Sequence, residues 1–488
     1  MIGKASISRD DRLSVGRTLG VLACALAAVA SGGLVVIRPD LSVYLLGLIG
    51  AAGYVLLCLG WPFAGFAVLL LFALTVWLSG IKVAGGVSAM IGVGAIFTLS
   101  WLTRLIFRSE AFTKVKEYGL LLALSLVMCV SALFHVDGPA GLSAVLTYLQ
   151  IFLLFILVIN VTTAPARLAA VGDLVIVSST LLAALIVLDQ FGWLPTVLIP
   201  QQNMSMALSV DIIIARTAGL WGDANVTALQ LTIALPFILA AWSGASSARR
   251  ALLLAAGGAI LTAFVWTFSM GGLLGLSVML LIRMLMAPQR HRLFIIARNS
   301  LLGIIALLAF IAFAPDLFVQ RAEILFESNV EALVTFDQAS LLTVGTWRGD
   351  AWWAALRAIA AAPLLGYGPG NGMYATASFS VLRSPVFLSP HNMFLAVASD
   401  LGLIGLAMFV ALFISALSAV RPHPNAPAGD PDLYRMRDAI FMALSGFAVQ
   451  GMALEVHNMK LLWILLSMAL AYRELSTRSA VGQMEAAR

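Results

Sequence analysis

Proton transfer near neutral pH calls for an imidazole, and the chain has five histidines among its 488 residues. Four of them, His135, His291, His423 and His457, stand in short polar turns. His391 alone closes a long polar stretch just ahead of an apolar run, in SPHNMFLAVASDLGLIGL (389–406). An imidazole placed there can serve as a general base; the alternative is a histidine that caps a helix together with its neighbour Asn392. Arg348 precedes Trp352 by four residues, so the two share one face of a helix. A guanidinium binds phosphate oxygens bidentately and keeps its charge at any relevant pH; the alternative is an interfacial arginine stacked on tryptophan. Arg216 lies in ARTAGLWGDANVTA, where Gly219, Gly222, Asp223 and Asn225 form a compact polar element leading into an apolar run. It is read either as an anion-binding residue or as an arginine snorkelling at a helix entrance. Arg383 has less context around it.

Composition limits what can position these groups. The set AVILMFWYC makes up 61% of the chain and charged residues 11%, less than half the roughly 25% charge of soluble proteins. This excludes a soluble cytosolic enzyme, a nucleic-acid binder (despite the net charge of +6) and a disordered chain. The fold class read from the sequence is an all-α integral membrane protein. Apolar runs long enough for a hydrocarbon core of about 30 Å recur throughout. They fall at 18–37, 41–60, 62–80, 83–103, 118–134, 141–160, 168–190, 226–242, 251–268, 273–289, 299–315, 392–419, 438–454 and 461–472, and suggest about 12–14 transmembrane helices. The stretch 251–289 is too long for one helix and is split at Ser269–Met270–Gly271–Gly272.

Placing the N-terminus inside puts 21 of the 29 basic residues on the cytoplasmic face, as the positive-inside rule expects. The organisation is then a cytoplasmic N-terminus (1–17) and transmembrane helices over 18–315, with a shorter periplasmic loop near 191–225. A large, partly helical periplasmic loop (316–391), C-terminal transmembrane helices (392–472) and a cytoplasmic tail (473–488) follow. Long loops usually carry function, and these two hold Arg216, Arg321, Arg348, Arg357 and Arg383. Within the large loop, 319–335 and 347–361 show helical patterns, the second stopped by Pro363. The glycine-rich LLGYGPGNGMY that follows lets backbone approach a ligand closely. Asp173, Asp189 and Asp400 fall at or near membrane depth and are expected to face the protein interior in structural pairs. Cys24, Cys58 and Cys129 all fall inside spans and offer neither a disulfide framework nor a metal motif.

Together these residues carry a resemblance. Arg348-x-x-x-Trp352, PLLGYGPGN (363–371), His391–Asn392 and the following Gly402-x-x-Gly405–Leu406 are similar to the signature of the O-antigen ligase and Wzy-type polysaccharide polymerase superfamily. RTAGLWGDAN (216–225) resembles an Arg-x-x-Gly-x-x-x-x-x-Asn element that precedes a span in the same proteins. The resemblance covers roughly 210–420 and implies a GT-C-like helical fold. It implies inverting transfer of a glycan from undecaprenyl pyrophosphate to a sugar hydroxyl at the outer leaflet, with neither nucleotide sugar nor metal. The acceptor is another lipid-linked glycan in a polymerase, the reading favoured here, or lipid A–core in a ligase; a lipid-linked saccharide transporter or flippase is the rival. The partners implied are the lipid-linked donor glycan, an acceptor glycan or glycolipid, the bilayer, a flippase and a chain-length regulator, and no nucleic acid.

In this picture His391 is the base and Arg348 the catalytic cation. Arg216, Arg383, Asn392, Trp352, Tyr367, Asp223 and Asn225 hold pyrophosphate and glycan, and Tyr374 and Trp221 offer further rings for sugar stacking. One departure stands out. The family carries Ser-Arg-Gly where this chain has Ser269–Met270–Gly271, so Arg216 or Arg383 substitutes for the missing cation, or the donor sits differently.

Overall fold

The computed structural model describes residues 39–75, 88–107, 110–135, 141–193, 203–209, 212–217, 219–286, 347–381, 386–422 and 430–486. The expected spans 18–37 and 299–315 and the expected helix 319–335 lie outside them. The chain divides into one unit made of residues 1–72 and 77–111 and another made of 73–76 and 112–488.

In the first unit, helices α1 (Pro39–Gly60), α2 (Pro62–Leu74, whose last turn belongs to the other unit) and α3 (Ala89–Phe107) pack on aromatic contacts. Phe66 and Phe97, both fully buried, meet at 5.4 Å between ring centres. The buried Arg104 guanidinium donates to the Cys58 carbonyl at 2.6 Å and lies 3.5 Å from Glu110.

The second unit contains α4 (Glu117–Phe134), α5 (Gly141–Val161), α6 (Pro165–Gln190), strands β1 (Asn203–Ser209) and β2 (Ile212–Thr217), and α7 (Ala224–Trp242). It continues with α8 (Ser247–Thr267), α9 (Met270–Leu285), α10 (Trp347–Ala361), α11 (Gly372–Ser378), α12 (Met393–Ala419), α13 (Pro431–Gly451) and α14 (Lys460–Ala486). Its centre is α14, which is apolar all round and buried on every side from Leu461 to Ala471. Trp463 contacts the rings of Phe152, Phe155 and Phe409 and donates its indole N–H to the His457 carbonyl at 2.8 Å. Leucines such as Leu122, Leu126, Leu252, Leu254 and Leu281 are exposed on α4, α8 and α9, the arrangement of helices whose surroundings are as apolar as their interior.

Among the described residues, seven helices are long and apolar enough to cross a membrane. Helices α1, α2 and α9 are apolar but shorter as described, and α13 and α14 coincide with the expected spans at 438–454 and 461–472. The fold is thus that of an all-α integral membrane protein, with one exception. The expectation of helices alone missed an antiparallel hairpin in the shorter loop, in which β1 and β2 pair from Asn203↔Thr217 to Ser209↔Ile212. Its physical reason is visible in the residues. Met204, Met206 and Leu208 alternate with Ser205, Ala207 and Ser209, and Ile212–Ile214 is β-branched throughout.

The split of 251–289 falls where expected. Phe268 closes α8 in the left-handed region (φ 48°), and Ser269 caps α9 by accepting the Gly272 N–H at 3.1 Å. Of the acids at membrane depth, Asp400 is buried as expected and lies 3.7 Å from His457. Asp173 forms a bidentate pair with Arg249 at 2.7 and 2.9 Å, but both side chains are more than two-fifths exposed rather than interior. Glu117, by contrast, is fully buried and pairs with Arg473 through two bonds of 2.8 Å, reinforced by Ser415, joining α4, α12 and α14. Of the described cysteines, Cys58 is buried and Cys129 is exposed on α4.

Candidate active site

Four helices begin at one end of this unit, and their first residues make the site. RTAGLWGDAN turns from β2 through a short 3₁₀ turn (Gly219–Trp221) and the left-handed Gly222 (φ 67°) to Asp223. Asp223 Oδ1 caps α7, accepting the N–H groups of Asn225 at 2.7 Å and Val226 at 3.1 Å. Ser269 Oγ, while capping α9, donates to Asn225 Oδ1 at 2.8 Å, so the starts of α7 and α9 are tied together.

Arg348 is the second residue of α10. The inner face of α10 is alanine, with Ala351, Ala354, Ala355 and Ala358 almost fully buried, and small side chains let helices approach closely. The helix ends at Ala361, ahead of Pro363 as expected. Asp350 is buried and accepts from Ser380 Oγ at 2.6 Å and the Val381 N–H at 3.0 Å, closing residues 350–381 into one piece.

Between α10 and α11 runs the glycine segment, with Gly366, Gly368 and Gly370 at φ 63°, 92° and 74°. It is bound to α12 at its kink. There Gly402 (φ 67°, ψ −171°) breaks the helix, leaving carbonyls and side chains free to pair. Tyr367 N–H donates to the Ser399 carbonyl at 3.0 Å, Gly368 N–H to the Asp400 carbonyl at 2.9 Å, and Leu403 N–H to the Pro363 carbonyl at 2.7 Å. The buried Asp400 carboxylate accepts Gly370 N–H at 2.8 Å on one oxygen and Gly372 N–H at 2.7 Å on the other. From α4, Ser131 Oγ donates to the Leu365 carbonyl at 2.6 Å.

His391 stands immediately before α12 with φ 44°, left-handed geometry that a non-glycine residue seldom adopts. Its N–H donates to Ser389 Oγ at 3.1 Å. Asn392, not His391, caps the helix: its carboxamide oxygen accepts from Phe394 N–H at 3.0 Å and Leu395 N–H at 3.2 Å.

Three groups from distant parts of the chain come within electrostatic reach of one another here: Asp223, Arg348 and His391. Burial and the neighbouring Arg348 cation push the His391 imidazole below its usual pKa, and Asp223 pulls it back up. Burial lowers the Arg348 guanidinium, against which the Asp223 carboxylate acts. The result is an imidazole biased toward its neutral, proton-accepting form beside a fixed cation.

The remaining expected residues are distributed as follows. Arg216 lies on β2 opposite Met204, and Arg383 lies outside the described residues. Trp352 is on the exposed side of α10 at 41% exposure. Tyr367 is half-buried with its ring 5.9 Å from that of His135, Tyr374 packs on Phe387, and the Trp221 indole donates to Gln230. Among the described residues, no three histidine, cysteine or carboxylate groups gather closely enough to hold a metal ion. The sequence reading passed over Ser389 and Glu455, which are joined to each other by a hydrogen bond. A serine two residues before the histidine, and a carboxylate in the last polar turn of an apolar chain, were the available signals.

Residues 251–410 match the O-antigen ligase family model. The resemblance to the O-antigen ligase and Wzy-type superfamily therefore stands on an independent comparison as well as on the four spaced elements. The O-antigen ligase match includes Arg348, the glycine segment and His391. It stops short of RTAGLWGDAN, which the fold nevertheless brings to the same place through Asp223. No curated protein matches the chain.

Proposed function

We propose that this protein is an inverting membrane glycosyltransferase that takes a glycan from undecaprenyl pyrophosphate and joins it to a sugar hydroxyl on the periplasmic side, polymerising a cell-surface polysaccharide. The observation that carries the reading is the placement of Arg348, Asp223 and His391 at the starts of three helices, within electrostatic reach of one another. A sugar hydroxyl is a poor nucleophile until a base removes its proton, and a half-buried imidazole biased toward its neutral form is that base. The freed oxygen attacks the anomeric carbon, the bond to the pyrophosphate oxygen breaks, and the electron pair leaves with the phosphate. Arg348 then faces the charge that grows on the leaving group, where a preorganised cation is most effective. The 21-to-8 bias of basic residues supports a periplasmic site in the inner membrane with both termini cytoplasmic. Arg216 and Arg383 remain candidates for the second phosphate contact that Met270 does not provide.

A second reading, ligation of the glycan to lipid A–core, is favoured by the description of the matched family as O-antigen ligase. Replacing His391 by Ala tests the shared chemistry. Polymer or ligated product should disappear while lipid-linked repeat units accumulate on the outer leaflet. Accumulation on the inner leaflet instead would make the protein a transporter, and the identity of the acceptor extended by the wild-type protein separates polymerase from ligase.

A further inference from the structure

The turn that presents His391 is held from behind by a residue with no place in the chemistry described so far. Ser389 Oγ accepts the His391 N–H at 3.1 Å. A serine hydroxyl has one proton, and this one is donated to Glu455 Oε2. Glu455 lies 66 residues further along the chain, in the turn between α13 and α14. The bonds therefore run one way, from the His391 backbone N–H through the Ser389 hydroxyl to the Glu455 carboxyl.

His391 needs such support. Left-handed backbone is unfavourable for a non-glycine residue, and such strain persists only where the surroundings enforce it. On one side of His391 the Asn392 cap fixes the start of α12; on the other, the Ser389 bond ties the turn down. We propose that Glu455 is a positioning residue for His391, acting through Ser389 to hold the left-handed turn that directs the imidazole toward Arg348 and Asp223. Burial, opposed by His457, biases the Glu455 carboxyl toward a higher pKa. Asp400 and His457, 3.7 Å apart, are the charged groups in electrostatic reach of Glu455.

The inference rests on His391 as the base, and the test separates the two. The full chain is reconstituted in bilayers with lipid-linked repeat units as donor, and turnover and acceptor KM are measured for Glu455→Ala, Glu455→Gln and Ser389→Ala, each with and without His391→Ala. Glu455→Ala should lower turnover by about tenfold or more with acceptor KM changed less than about twofold, as expected when an interaction is lost at the reacting centre. Glu455→Gln keeps an acceptor oxygen for the serine proton and should recover most of that loss, and Ser389→Ala should match Glu455→Ala. In the His391→Ala background Glu455→Ala should add nothing, because residues acting through one another are non-additive. A further loss in that background, or full turnover in Glu455→Ala, overturns the positioning role. Normal turnover in His391→Ala alone overturns the base assignment and this inference with it. If Glu455→Ala does not fold, the near-isosteric Glu455→Gln and Ser389→Ala decide the matter in the same cycle.

Discussion

Asp400 holds the glycine segment in place with two bonds, and Asp400→Asn removes one of them without changing the shape of the side chain. In the native protein each carboxylate oxygen takes one backbone N–H, from Gly370 at 2.8 Å and from Gly372 at 2.7 Å. A hydrogen bond to a charged acceptor contributes about 1.5–3 kcal/mol. Asparagine keeps one acceptor oxygen and turns an NH2 group toward the other N–H, so one bond is lost and a buried donor is left facing another donor. The expected loss is about 2–3 kcal/mol, which raises the local opening constant by about 30–150-fold. Hydrogen exchange of the reconstituted protein reads this directly. Protection at Gly370 and Gly372 should fall by about that factor, whereas the amides of α14, which the substitution does not touch, should exchange as before. Turnover should fall as well, since the segment is bound to the same helix that His391 precedes. Unchanged exchange at both glycines would refute the view that the carboxylate holds the segment. A loss spread evenly over the whole unit would mean that Asp400 supports the fold rather than this loop.

The remaining predictions concern titration and the kink. Because burial and Arg348 depress the His391 pKa, the base form persists below the usual imidazole value near 6.5, and turnover should fall only under more acidic conditions than that. Asp223→Asn keeps an oxygen for the α7 cap but removes the carboxylate that raises the His391 pKa, so the acid limb of kcat/KM should move to still lower pH; a move to higher pH would contradict the electrostatic account. Gly402→Ala puts a Cβ into the Leu364 carbonyl at a left-handed position. It should abolish transfer and lower thermal stability, and a variant with wild-type melting and turnover would show that the kink is dispensable.

What the sequence disclosed depended on whether the signal was local. Helix α10 could be bounded from its composition and Pro363, and the break at Ser269 from two glycines inside an overlong apolar run. The hairpin was encoded by the alternation at 204–209, but its strands of seven and six residues lie in a loop between much longer apolar runs, where so short a pattern carries little signal. At the site, His391 and Arg348 stood out because charged groups are scarce in an apolar chain. Their convergence with Asp223 did not, because it is produced by packing of α7, α10 and α12 rather than by spacing. The bond from Ser389 to Glu455 was hidden for the same reason, and capping at His391–Asn392 stood in the sequence only as an alternative: whether a polar side chain serves a ligand or a backbone is settled by what the fold places within about 3 Å of it.

The gathering of four helix starts has an electrostatic consequence of its own. Each helix presents the positive end of its peptide dipole, equivalent to roughly half an elementary charge, at its N-terminus. Helices α7, α9, α10 and α12 all begin around Asp223, Ser269, Arg348 and His391. The site therefore carries a positive potential that belongs to the backbone. It does not titrate, and no single side-chain replacement removes it. Under the proposed function, a donor phosphate between these helix ends would meet amide dipoles as well as guanidinium, the arrangement by which helix N-termini bind anions. Seen this way, Met270 at the first position of α9 removes one cation from a field that the main chain continues to supply.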